Sequence, residues 1–143
     1  MGLWKKLFSN EDQDRVDYYE EGLQLMNAGK YHEALTSLRL ALREDPRDAT
    51  VLQQIAITYT RIGMTDEAIK TYRSVLDKDP AASGAHYGIA FLMLKEGRPD
   101  EAKDHLRSFL NNPPSGSEAQ RHITHARETL AELAGEARST DAL

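Results

Sequence analysis

Cysteine is absent from this chain, and with it go disulfides, thiolate metal sites, cysteine nucleophiles and thiol redox switching. That absence fits a reducing compartment, and the cytoplasm is the expected location. No apolar run approaches the roughly 20 residues that a membrane-spanning helix needs. Met1 to Asn10 lacks both a long apolar centre and a small-residue cleavage site, so a secretory leader is not expected. Positive charge is in deficit as well. Eighteen Lys and Arg stand against 23 Asp and Glu, a formal net charge of -5, so the chain has no overall attraction to phosphates and nucleic acid is not an expected partner.

What is present suits one soluble domain. The chain has 143 residues, 40% of them hydrophobic and 29% charged, enough for one core and too apolar for wholesale disorder.

A single period dominates the sequence. Gly29, Gly63 and Gly97 are spaced by 34 residues, and so are Ala34, Ala68 and Ala102. Pro46, Pro80 and Pro114 keep the same interval, as do the small residues Gly22, Ala56 and Ala90. Four columns in one register predict a stacked array with units 15–48, 49–82 and 83–116. Each unit reads as two amphipathic helices joined at its glycine, a residue that ends helices by taking positive φ. The first helices are expected over Gln13 to Ala28, Ala49 to Ile62 and Ser83 to Glu96. The second helices are expected to open on the acidic residues Glu33, Asp66 and Asp100, whose charge complements the positive helix end. They should close near Glu44, Lys78 and Asn111, ahead of the proline column. From Ser117 to about Arg138, the residues Ala119, Ile123, Ala126, Leu130, Leu133 and Ala137 form one helical stripe. That segment reads as a helix capping the third unit. Residues 139–143 read as a disordered tail, and residues 1–14 as an amphipathic or mobile N-terminal segment.

With these columns the chain resembles the tetratricopeptide repeat family over Arg15 to Gly116 plus the closing helix. The family pattern asks for a bulky residue at the fourth place of a unit, a small one at the eighth, alanine at the twentieth and proline at the thirty-second. Tyr18, Leu52 and His86 fill the first column, and the small, alanine and proline columns complete it. Phe109 departs from the pattern where alanine is usual, and Glu21 where leucine is usual. The resemblance implies an all-α, right-handed α-solenoid of three helix-turn-helix repeats with a C-terminal capping helix. It further implies a concave surface, lined by the first helices, that holds a peptide or helix of another protein. The implied role is that of an adaptor, scaffold or co-chaperone, without implying a cofactor or an oligomeric state.

By the same resemblance the groove is lined by Tyr19, Leu23, Asn27, Gln53, Ile57, Arg61, Tyr87, Phe91 and Lys95, with Arg121 and His125 added by the closing helix. A subgroup of the family grips carboxylate tails with Lys, Asn and Arg. Here Tyr19, Leu23, Gln54, Gly84 and Gly88 stand instead, so an apolar, aromatic groove is expected, with binding driven more by apolar burial than by charge. Leu23, Ile57 and Phe91 have an alternative reading as plain core.

No constellation of acid, base and nucleophile has convincing spacing, so enzymatic activity is not expected. Glu118, His122, His125, Glu128 and Glu132 share a face of the closing helix where two imidazoles could meet a metal. We read that face as a solvated one, without a metal. His32, His86 and His105 look scattered, and the glycines are helix punctuation, not a phosphate loop. At the N-terminus Leu3, Trp4, Leu7 and Phe8 share a face beside Lys5 and Lys6. This leaves an alternative function open, a membrane-surface assembly factor anchored by that segment, although docking on the first repeat is preferred.

Overall fold

The computed structural model describes residues 16–141, with side chains through Glu136. Among them seven helices follow one another: α1 (Tyr18–Asn27), α2 (Tyr31–Glu44), α3 (Ala49–Ile62), α4 (Thr65–Lys78), α5 (Ser83–Lys95), α6 (Pro99–Asn111) and α7 (Ser117–Asp141). No strand occurs among the described residues, and the chain is an all-α helical repeat solenoid. Among the described residues no helix is long and apolar enough to cross a membrane. The N-terminal segment with Trp4 lies outside the described residues.

Two kinds of turn repeat along the array. Within a unit, Gly29, Gly63 and Gly97 take φ of 75°, 92° and 74°. The residue after each donates its N–H back to the helix, Lys30 to Leu25 O at 2.8 Å, Met64 to Tyr59 O at 2.9 Å and Arg98 to Met93 O at 2.9 Å. This closure satisfies a carbonyl that the helix end would otherwise leave unpaired. Between units the residue before proline ends the helix. Asp45 and Asp79 are both extended at their helix C-termini, the geometry that the following proline ring imposes. Their carboxylates then accept backbone N–H bonds from Arg47 (3.2 Å) and Ala81 (3.1 Å), which folds the connection tightly.

Two ends differ from the sequence expectation. The first helix begins at Tyr18, not Gln13, because Asp17 caps it by accepting the Glu20 N–H at 3.1 Å. The last helix runs to Asp141, so the segment expected as a disordered tail is helical through that residue. The run Ala-Glu-Leu-Ala-Gly-Glu-Ala-Arg is mostly strong helix formers, and the lone Gly135 within it costs only about 1 kcal/mol.

Helix pairing depends on the small columns. Ala34, Ala56, Ala68, Ala90 and Ala102 have no exposed surface at all. At the first pair a Cβ on Gly22 would stand 2.7 Å from the Leu38 side chain, so that contact exists only because Gly22 has none. One apolar cluster runs through the three units around Leu38, Ile55, Tyr59, Tyr72, Val75, Ile89 and Met93. A second closes the far end, where Ala119, Ile123 and Ala126 of α7 meet Ala90, Leu106 and Phe109. Phe109 is only 2% exposed there and supplies the bulk that α7 covers.

His86 and His105, distant in sequence, are brought together as a clasp between α5 and α6, which corrects their scattered reading. The Pro80 carbonyl accepts from His86 Nε2 at 2.9 Å. His86 Nδ1 therefore carries the lone pair in the neutral ring, and His105 Nδ1–H donates to it at 3.0 Å. Burial holds the His105 pKa below its ordinary value, with His86 and Arg73 acting in the same direction and Asp104 and Glu101 opposing.

Two outcomes follow from this packing. Leucine in place of Ala68 or Ala102 overpacks a helix pair and should cost about 1 to 3 kcal/mol, read as a lower urea midpoint. Equal midpoints for parent and variants would mean that these columns do not control the pairing. The histidine clasp should make stability depend on pH. The lowered folded-state pKa means that the unfolded chain takes up the proton first as pH falls. The clasp's contribution is therefore complete above the ordinary histidine value of 6.5 and is lost as pH falls through the lowered folded value. Thermal midpoints taken from pH 8 downward should fall less steeply for His105→Asn than for the parent, and parallel curves would remove the clasp as the cause.

Candidate functional site

The site is built around α5, whose sequence Ser-Gly-Ala-His-Tyr-Gly-Ile-Ala-Phe-Leu-Met-Leu-Lys is apolar on nearly every side. Such a helix belongs at the centre of a packed array, and α5 touches α3, α4 and α6. Ile89, Ala90, Leu92 and Met93 are buried, while Tyr87 and Phe91 are left half-buried on the side shared with α3.

Between α3 and α5 lies an open groove of about 530 Å³, lined by Ile57, Thr60, Arg61, Tyr72, Tyr87, Gly88, Phe91, Leu92 and Lys95. Its floor depends on a missing methyl group. A Cβ on Gly88 would come within 2.4 Å of the Tyr72 ring, so Tyr72 reaches from α4 into the groove floor through the space that glycine leaves. Tyr72 is 4% exposed. Its phenol pKa is pushed up by burial, against a hydrogen bond with Thr60 and the charge of Arg61. Gln53 fills the matching gap over Gly84 one turn earlier.

Next to the groove, α7 contributes an aromatic end wall. Tyr87 stands at its hub, with ring centroids 4.7 Å from Phe91, 5.1 Å from Phe109 and 4.8 Å from His122. The His125 ring stacks on Phe91 at 4.6 Å with an interplanar angle of 5°. Tyr87 Oη and His125 Nδ1 are hydrogen bonded at 2.8 Å, and burial raises the Tyr87 pKa. Tyr87, Glu118, Arg121, His122 and His125 line a second depression of about 440 Å³. The face of α7 that carries Glu118, His122, His125, Glu128 and Glu132 is exposed, in keeping with its solvated reading, and its two imidazoles also pack on aromatic rings of α5. Among the described residues no group of three or more His, Asp or Glu is placed to hold a metal.

The eleven residues expected in the groove are divided by the structure. Ile57, Arg61, Tyr87, Phe91 and Lys95 share the main groove, and Arg121 and His125 share the adjoining depression with Tyr87. Tyr19 lies apart, in a depression with Asp17, Ala41 and Asp48. Leu23 is half-buried and Asn27 exposed on α1, and Gln53 covers Gly84. Thr60, Tyr72, Gly88 and Leu92 of the main groove were not expected there. Gly88 was the available signal, since a glycine inside a helix invites close approach by a neighbour.

The family model described as Tetratricopeptide repeat matches residues 63–124. No match was found among curated protein sequences. Among solved structures the chain is similar to the type III secretion chaperone SycD of Yersinia enterocolitica in complex with a peptide of the translocator YopD. The TM-score there is 0.78 at 18% identity, covering 83% of this chain and 91% of that one. It is similar to PcrH in complex with the chaperone binding region of PopD, with TM-score 0.75 and 18% identity over 83% of this chain and 90% of that one. A third likeness is to the first TPR of Spaghetti (RPAP3) bound to an HSP90 peptide, with TM-score 0.68 and 20% identity over 80% of this chain and 90% of that one. At these identities the likeness is one of fold.

Proposed function

Because this chain is a tetratricopeptide-repeat protein, we propose that it is a protein–protein interaction module that holds a peptide or helical segment of a partner in the groove between α3 and α5. Its work is binding, not catalysis, and it serves as an adaptor, scaffold or chaperone for that partner. One observation carries this reading: the half-buried side chains Ile57, Tyr87 and Phe91 line one open groove with the Tyr72 ring on its floor. Interface energy concentrates on such aromatic anchors, which bury much area at little cost in side-chain freedom. The peptide complexes of SycD, PcrH and Spaghetti are consistent with this use of the fold.

The test needs a partner, obtained by affinity capture and mass spectrometry and then purified. Phe91→Ala and Ile57→Ala should each weaken its binding by about 1 to 3 kcal/mol. Arg107→Ala, on an exposed part of α6 outside the groove lining, should leave it unchanged. Circular dichroism checks that each variant is folded. Folded groove variants with parental affinity would place the binding surface elsewhere.

A further inference from the structure

We propose that the segment taken by this groove is acidic as well as apolar: a linear stretch of a partner protein with an aspartate or glutamate beside a leucine or aromatic anchor. The inference rests on the peptide-binding reading above. Its basis is a local reversal of charge. The chain carries five more acidic than basic residues, yet the lining of the main groove contains Arg61 and Lys95 and no carboxylate. The adjoining depression adds Arg121 beside Glu118. On and just before α6 the cations are neutralised locally, Arg98 by Glu101, Lys103 by Asp100 and Arg107 by Asp104. Among the described residues Arg61, Lys95 and Arg121 have no ion-pair partner.

A cation in the last turn of a helix is favoured by the helix dipole, and Arg61 and Lys95 occupy such turns in α3 and α5. The dipole does not explain why both line one groove. Arg43 and Lys78 hold such places in α2 and α4 without lining the groove, whereas both first helices that border it, α3 and α5, end on a cation at its edge. Arg61 and Lys95 stand 34 residues apart at equivalent places in successive units, so they share one edge of the groove, and the Arg61 charge reaches the Tyr72 hydroxyl on its floor. An apolar anchor over Tyr72 and Phe91 would place a neighbouring carboxylate against that edge. The rings would supply most of the affinity and the cations the selectivity and the speed of encounter. An acidic peptide is favoured over a polyanion such as nucleic acid because two cations beside an apolar lining suit a lone carboxylate next to an apolar anchor, whereas a long phosphate backbone would meet the net negative charge of the whole chain.

The test is selection from a random-peptide display library by the full chain, by Phe91→Ala and by the double variant Arg61→Gln/Lys95→Gln, each confirmed helical. The parent should select peptides that place Asp or Glu next to Leu, Phe or Trp. The double variant should keep the apolar preference, lose the acidic one, and bind the parent's best peptide about three- to tenfold more weakly. Added salt should weaken the parent's binding and not the double variant's. Apolar peptides without acidic enrichment would overturn this proposal and leave the groove standing. Selection unaffected by Phe91→Ala would instead overturn the groove. A parent that selects nothing and sediments as a dimer dissociated by Phe91→Ala would assign the groove to a second copy and overturn the acidic-peptide proposal. A monomeric parent that selects nothing would overturn both readings.

Discussion

Two helices can share a buried face at close range only where neither carries bulk at the crossing, and the rest of this molecule depends on that constraint. Gly22, Ala34, Ala56, Ala68, Ala90 and Ala102 occupy those crossings, and the alanines are wholly enclosed. The close approach lets Leu38 reach Gly22, Tyr72 reach Gly88 of the next unit and Leu106 join Ala90, so that one apolar cluster runs through the three units and a second closes the far end. No helix pair could cover that cluster alone, so each unit needs the next. At the end of the series α7 takes over, laying Ala119, Ile123 and Ala126 on Phe109.

The same approach shapes the groove. Because α5 carries Gly84 and Gly88 on the side facing the second unit, Gln53 and Tyr72 come closer than any side chain at those places would allow. Tyr72 becomes floor, and Tyr87 and Phe91, one turn apart, become walls. The helix is apolar almost all round, so the side not covered by α4 or α6 still presents rings. The apolar groove is thus bounded by α3, α4 and α5 alone. Arg61 and Lys95, in the last turns of their helices, complete its lining.

The third unit departs most from its predecessors, and each departure has a local use. The position held by Ala41 in the first unit and Val75 in the second is Phe109 in the third, where α7 packs against it in place of another complete unit. His122 and His125 then fall on Tyr87 and Phe91. An exposed polar face thereby also edges an aromatic cluster through two of its side chains.

The sequence by itself determined the repeat. Glycine, alanine and proline columns are local constraints on φ, on crossing distance and on helix ends, and each can be read without knowing what lies across the interface. They placed the turns at Gly29, Gly63 and Gly97 and the connections at Pro46 and Pro80, within a residue or two. The tertiary structure alone decided which side chains meet. Tyr19, Leu23, Asn27 and Gln53 occupy groove-like places in their units, yet they lie outside the groove that Ile57, Arg61, Tyr87, Phe91 and Lys95 share. The pairing of His86 with His105 and the entry of Tyr72 over Gly88 were equally invisible. Such contacts depend on the distance and rotation between successive helices, which arise from the sum of many packing contacts and leave no periodic mark on the chain.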